Sequence, residues 1–569
     1  MTFTLEAWGS ALLAVTPFAW AVLNLLKAKG VKNSRRVFLL LAFLAGVYSW
    51  FAIYRSCSND AVFKYMSKEW AVPLGITRGE LLYEGTSWLY GPLPPYLAVW
   101  MGQLTGEVGW RAYQFLCFAL NLGSIAMLYI LSSRIFRQRK NLAVFVTVFF
   151  ASYILFSARG VRPQGSVYIL EAFCYLVVLV LCFKRLGPIR LIGQGVFLGL
   201  GWLSKPFAPM ALLTALALSE VFARRKFILR RRIFKALFWR SFLRVVGMLF
   251  VVGVAAGVLS RIGVSPERWR DALFPFYVRQ MYVQGGMSFL KEFCEVYFSF
   301  GPGHTFGYFV LRSFFYVQLV LGAVSLAWLL FRGAALAPLV PVAKRVVTAA
   351  GLFWFISLGV IWGQWDNHVT FDVLLFLPSA VLIGYLLKTH ARIARFILMT
   401  ILVTLILSFR LEIGEFWKLG FCSTRSVGGV LVTDEAVQYL NQIKTVVSTR
   451  GEGATLVALG NAAAIYEITG RPRPWRIHNY LWGQERHWDL DVLARNTRDR
   501  DLLILDAGGI ENLFGVERLD PDLLRSVPSD HRALYENWTT GIQRVGTIEG
   551  TGLPEQTIYQ RKRVFSPSR

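Results

Sequence analysis

The stretch LIGQGVFLGLGWLSKPFAPMALLTALALSEV, residues 191–221, decides how the chain is read. Lys205 and Glu220 are its only charges. Thirty-one residues as helix would reach roughly 46 Å, against a hydrocarbon core of roughly 30 Å. The run is too long for one span, and it makes two only if a tight turn divides it. Pro206 removes a backbone donor and disfavours helix at Lys205, so Lys-Pro is expected at the tip of a helical hairpin, at a membrane surface.

The rest of the chain supports a membrane. Of 569 residues, 55% are apolar and only 17% charged, and apolar runs recur along most of the length. Expected spans are 5–26, 37–54, 112–133, 142–158, 166–183, 189–203, 207–222, 245–260, 307–331, 347–363, 371–387 and 394–410. The first is read as a retained helix rather than a signal peptide, since its basic residues follow it.

Net charge is +27, and its placement favours membrane orientation and anionic-lipid contact over a nucleic-acid site. The connections 27–36, 134–140, 184–190, 223–244, 332–345 and 388–395 hold 27 Lys and Arg and no Asp or Glu. The other 34 basic residues are matched by 34 acidic ones. By the positive-inside rule the basic face is cytoplasmic, and Lys205 then falls on the outer side. Cys117, Cys174 and Cys182 lie in spans; Cys57, Cys294 and Cys422 lie outside and leave room for one disulfide without saying which.

The expected fold class is therefore a multi-pass α-helical membrane protein of about twelve spans with a small C-terminal α/β domain. Residues 1–411 form the membrane part, with outer segments 55–111 and 261–306. Residues 412–569 form the extracytoplasmic domain. In it, TDEAVQYLNQIKTVV reads as a helix capped by Thr433. ATLVALG and DLLILDAG read as strands, NAAAIYEITG as a helix closed by Gly470, and GIQRVGTIEG and QTIYQRKRV as closing strands.

A cation at the outer lipid interface asks for an anion, such as a lipid phosphate, unless it snorkels to water. The neighbouring outer loop SARGVRPQGS adds Arg159 and Arg162, whose planar forks suit phosphate; the alternative is ordinary interfacial anchoring. Asp60, in RSCSNDAVFKYM, is either a helix N-cap or a carboxylate able to act as general base at the water–lipid boundary. Glu84, Tyr90 in WLYGPLPPYLAVW, Arg279 in the second outer segment, and Asp366 and His368 in IWGQWDNHVTF are further substrate-binding candidates. WLYGPLPPYLAVW also suits an element lying on the bilayer. No third ligand stands near Asp366 and His368 at metal spacing, so no metal site is assigned; a divalent cation stays open as a cofactor.

Four stretches together resemble the GT-C superfamily of integral-membrane glycosyltransferases, nearest to the bacterial aminoarabinose transferase and protein O-mannosyltransferase branch. They are SNDAVFKYM, YGPLPPYLAVWMGQLTG, ARGVRPQGSVYILEAF and LGLGWLSKPFAPM. The sequence departs from the family pattern at Ala61, where a second acid is usual, and at Gln164. The resemblance implies a polyprenyl-phosphate-linked sugar donor, a lipid, glycan or protein acceptor, and transfer with inversion on the periplasmic side of a bacterial inner membrane. It implies Asp60 as base or acceptor-orienting carboxylate, and Lys205 with Arg162 on the donor phosphate. An O-antigen-type polymerase or ligase and a lipid-linked sugar flippase are the competing readings.

Overall fold

A computed structural model describes residues 67–83, 91–106, 108–137, 140–156, 166–183, 187–206, 208–223, 231–274, 306–331, 341–360, 369–418, 425–427, 430–432, 434–459, 465–466, 469–472, 493–498, 500–549 and 555–561. The architecture is mostly helical, with a small sheet near the C-terminus.

The apolar runs from residue 112 onward are all helices. These are Trp110–Ile135, Lys140–Phe156, Ser166–Leu181, Pro188–Trp202, Ala208–Ala223, Arg231–Arg261, Phe306–Phe331, Pro341–Val360, Val369–Thr389 and Ala391–Lys418. The expected spans 5–26 and 37–54 lie outside the described residues. Among the described residues, Phe115–Ile135 and Lys235–Arg261 are long and apolar enough to cross a membrane, with mean hydropathy 1.9 and 2.3. A continuous core holds the helices together, with Leu128, Phe145, Leu179, Leu212 and Phe353 wholly buried in it.

The 191–221 run is a hairpin. Its first helix, Pro188–Trp202, starts with proline where a missing donor costs nothing, and the second, Ala208–Ala223, has Pro209 in its first turn. Between them the backbone closes on itself, with Ser204 N–H donating to Leu200 O at 3.1 Å and Lys205 N–H to Gly201 O at 2.8 Å. The Pro188–Trp202 helix also crosses the Arg231–Arg261 helix at backbone distance. A Cβ on Gly195 would stand 2.1 Å from Arg244 O, and one on Gly247 would stand 2.3 Å from Ile192 O. Small residues are what permit such a crossing where lipid gives no hydrophobic drive between helices.

Sequence placed 223–244 in a connection, but helix begins at Arg231. The segment from Lys235 is amphipathic. Phe238, Trp239 and Phe242 face outward, while Arg244 is buried against Glu220. Charge density hid this helix from a reading based on apolar runs. The last apolar helix likewise runs on to Lys418, past residue 411.

In the tail, β3 (Thr455–Leu459), β4 (Leu502–Asp506), β5 (Ile542–Ile548) and β6 (Gln556–Arg561) form one sheet in the order β3-β4-β6-β5. β3 and β4 are parallel and the remaining pairs antiparallel. The Asp434–Arg450 helix buries Tyr439, Leu440 and Ile443 in a core shared with Leu456 and Leu505. Thr433 lies outside the described residues, while Gly470 has φ +68°, the left-handed geometry of a helix-closing glycine. A hairpin of β1 (Arg425–Val427) and β2 (Val430–Val432) and the helices Gly509–Phe514 and Arg532–Thr539 had no sequence signal strong enough to separate them from loop. The tail core continues into Tyr113, Cys117 and Ile169, at the N-terminal ends of two apolar helices.

Candidate functional site

Lys205 is the predicted site residue that the described part of the chain contains. It sits in the hairpin turn and is only 7% exposed. A lysine at a hairpin tip that reached water would be open; this one is enclosed by protein. The snorkelling reading is therefore not what the structure supports.

The enclosure comes from two directions. On one side, the segment at the start of the Leu93–Thr105 helix lies on the turn backbone to backbone. Gly91 N–H donates to Ser204 O at 3.1 Å and Leu93 N–H to Leu203 O at 3.1 Å. Only glycine fits at position 91, since a Cβ there would stand 2.0 Å from Leu203 O. Thus GPLPP (91–95) and WLSKP (202–206), far apart in sequence, make one backbone unit. Pro94 and Pro95 open the helix that follows, and Gly106, with φ +78°, closes it.

From beneath, Glu171 on the Ser166–Leu181 helix is fully buried and interacts electrostatically with Lys205. Tyr175, one helical turn on, donates its hydroxyl proton to Glu171 Oε1. The Tyr175 ring meets Phe353 edge-on at 5.0 Å between centroids, and its edge lies beside Gly201, which pins the pair against the hairpin. A buried carboxylate and a buried ammonium together cost far less than either alone. The sequence reading sought Lys205's counter-charge in a lipid phosphate; the protein supplies a carboxylate as well. Glu171 carried a signal, being an acid inside a span that must face protein or water, but nothing in the sequence pointed it at Lys205.

A third element reaches the same turn. Trp202 donates its indole N–H to Leu273 O at 2.8 Å and packs on the Phe274 ring at 5.7 Å. Leu273 ends the short Pro266–Leu273 helix. Arg268 of that helix donates to Tyr83 O at 3.4 Å, which ties the helix to the end of the 67–83 segment.

Asp60, Glu84, Tyr90, Arg159, Arg162, Arg279, Asp366 and His368 lie outside the described residues. What the structure gives for them is their chain neighbours. Gly91, next to Tyr90, is bonded to the Lys205 turn, and Phe274, five residues before Arg279, lies tilted against Trp202. Glu171, nine residues after Arg162, is Lys205's electrostatic partner. Among the described residues no three His, Cys, Asp or Glu side chains gather as a metal set.

A helical bundle with a lysine-bearing hairpin, followed by a small α/β tail, is a fold that this chain shares with a solved structure, that of ArnT from Cupriavidus metallidurans in the apo state. It matches 94% of this chain and 99% of its own with a TM-score of 0.51, at 10% sequence identity. At that identity the likeness is one of fold. No family model matches the chain, and no curated protein sequence matches it.

Proposed function

We propose that the chain is a multi-pass membrane glycosyltransferase that moves a sugar from a polyprenyl-phosphate donor to an acceptor on the extracytoplasmic face of a bacterial inner membrane. The observation that carries this reading is the Lys205 turn, clamped by Gly91 and Leu93 and backed by Glu171, in a GT-C-like fold.

The chemistry follows from charge. In the transfer, the bond between the anomeric carbon and the donor phosphate oxygen breaks, and a bond from an acceptor oxygen or nitrogen to that carbon forms on the opposite side. Negative charge grows on the departing phosphate. A fixed, partly desolvated ammonium at that oxygen stabilises the transition state more than the ground state. Lys205 fills this role, with Arg162 and Arg159 as further phosphate donors. Asp60 takes the acceptor proton. Glu84, Tyr90, Arg279, Asp366 and His368 are assigned to substrate contact.

Glu171 sets the strength of the Lys205 charge. A lysine facing a carboxylate is held in place before substrate arrives, which reduces the reorganisation needed at the moment of bond breaking. The continuity of the tail core with Ile169, two residues from Glu171, supports a tail on the same side of the bilayer as the site.

The test follows label from a panel of polyprenyl-phosphate sugars into a lipid acceptor extract, using purified protein, Lys205→Ala and Asp60→Asn. Transfer by wild type that both substitutions abolish, with the proteins still folded, is the expected result. If no lipid-phosphate sugar yields transfer, the polymerase or flippase reading replaces this one. Full transfer by both variants would remove the assigned site while keeping the activity.

A further inference from the structure

The tail carries a cavity that the proposed transfer does not use. It is open, about 400 Å³ in volume, and lined by Lys444, Thr445, Val447, Ser448, Thr469 and Arg471. The first four come from the last two turns of the Asp434–Arg450 helix. The other two flank Gly470, whose left-handed backbone turns the chain back toward the end of that helix. There Arg471 Nη2 donates to Gly451 O at 2.9 Å, which ties the two walls of the cavity together.

The hydroxyl groups on the lining have spent their protons on backbone carbonyls. Thr445 Oγ1 donates to Asn441 O at 2.9 Å, Ser448 Oγ to Thr445 O at 2.9 Å and Thr469 Oγ1 to Ile465 O at 2.7 Å. A hydroxyl in that state keeps its lone pairs, so to a ligand it is an acceptor. The donors are the two cations. Lys444 makes no hydrogen bond or ion pair among the described residues, and Arg471 has spent one N–H of its fork on Gly451. No Asp or Glu is among the lining residues to neutralise them.

A ligand that matches this lining brings hydroxyl protons for the Ser and Thr oxygens and a negative charge for Lys444 and Arg471. A lone oxyanion has no hydroxyl array to offer, and the volume falls in the range of about 300–1,000 Å³ of sites for small organic ligands. No aromatic side chain lines the cavity, so a nucleobase has nothing to stack on. We propose that the cavity binds an acidic saccharide, with Lys444 and Arg471 on its anionic group and Thr445, Ser448 and Thr469 accepting from its hydroxyls. A carboxylate or a phosphate on the sugar supplies the same charge. The site is independent of whether the chain transfers sugar, since it lies in the tail and its occupancy needs no donor lipid.

Full-length protein in detergent is titrated with glucuronic acid, glucose 6-phosphate and glucose, with binding read by saturation transfer to the sugar ring protons. Inorganic phosphate is added as a competitor. Lys444→Gln, Arg471→Gln and Arg525→Gln are measured beside wild type, with melting temperatures. Lys444 is exposed and bonded to nothing described, so its variant tests binding even where Arg471→Gln loosens the fold. Arg525 is an exposed tail arginine outside the cavity. The expected result is binding of an acidic sugar and not of glucose, weakened about fivefold in Lys444→Gln at an unchanged melting temperature and untouched in Arg525→Gln. Tighter glucuronic acid identifies a carboxylate as the charge, and tighter glucose 6-phosphate a phosphate. Binding of neither acidic sugar, binding unchanged in Lys444→Gln, an equal loss in Arg525→Gln, or glucose held as tightly overturns the site. Displacement of the sugars by equimolar inorganic phosphate overturns the saccharide assignment.

Discussion

Replacing Gly91 by alanine tests whether the outer segment and the lysine turn are one unit. The added Cβ would stand 2.0 Å from Leu203 O, 2.2 Å from Leu203 C and 2.8 Å from Leu203 Cα. All three are backbone atoms, so no rotamer change relieves the clash. The two strands of chain must separate by about 1 Å to restore an ordinary contact. That separation would stretch the 3.1 Å bonds from Gly91 N–H to Ser204 O and from Leu93 N–H to Leu203 O past useful length. Overpacking costs about 1–3 kcal/mol and each lost bond about 1 kcal/mol, which together come to about 3–5 kcal/mol. Where the fold absorbs this, Lys205 is displaced from the donor phosphate, and a misplacement of about 1 Å costs up to about 100-fold in rate. The measurement is thermal unfolding in detergent with label transfer on the same samples. Gly253→Ala is the control: no atom of the described residues lies within 4 Å of its added Cβ, and in mid-helix it should be neutral or stabilising by up to about 1 kcal/mol. Gly91→Ala protein that melts and turns over like wild type would refute the docking of residues 91–93 on the lysine turn.

Other outcomes follow from single contacts. On the proposed function, Glu171→Gln leaves the buried Lys205 ammonium uncompensated and should raise the donor KM about tenfold, on the order of 1–2 kcal/mol, and lower kcat with it; both parameters unchanged would separate Lys205 from the donor. Arg561→Met strips Thr497 O, Arg500 O and Asn537 Oδ1 of a shared donor in the tail, bonded at 2.8, 2.7 and 3.0 Å. It should destabilise the tail by about 3 kcal/mol, seen as early proteolysis of residues beyond 418, and a tail as resistant as wild type would count against it. Burial pushes the Tyr439 phenol up to about 12 from 10.0, so the folded tail resists losing that proton. The linked stability is fully present below pH 10 and lost as pH rises through about 12, which tyrosinate absorbance and tryptophan fluorescence should record as alkaline unfolding.

Legibility in the sequence tracked the strength of the hydrophobic signal. The runs from 112 onward are helices because long apolar stretches have few alternatives, and β3, β4, β5 and β6 fall where short apolar stretches are bounded by glycine and polar residues. The start of the Arg231–Arg261 helix was missed because its apolar face is only a stripe between arginines, and the window that finds spans averages the two away. Lys205 could be singled out as a cation in an apolar run, but its partners could not. Gly91 is 114 residues before it and Glu171 is 34 before it. Such contacts arise from how helices cross and outer segments fold back, and a single sequence carries no periodicity that encodes them.

The hairpin's length explains why its tip needs those partners. The helices Pro188–Trp202 and Ala208–Ala223 have 15 and 16 residues, about 23 Å each, where a hydrocarbon core is about 30 Å thick. On the proposed topology a pair that starts at the cytoplasmic boundary stops about 7 Å short of the outer one. A lysine there is below the depth where water solvates it freely, and snorkelling along four methylenes would still have to pass whatever covers the tip. The cover is the Gly91–Leu93 backbone, whose N–H groups are used up on Leu203 and Ser204. The floor is Glu171 with Tyr175. A short hairpin thus leaves Lys205 below the outer boundary, covered by the Gly91–Leu93 backbone and facing Glu171. On the proposed function, a donor phosphate carried on a lipid chain approaches that depth from the hydrocarbon side, and an acceptor comes from the aqueous face above.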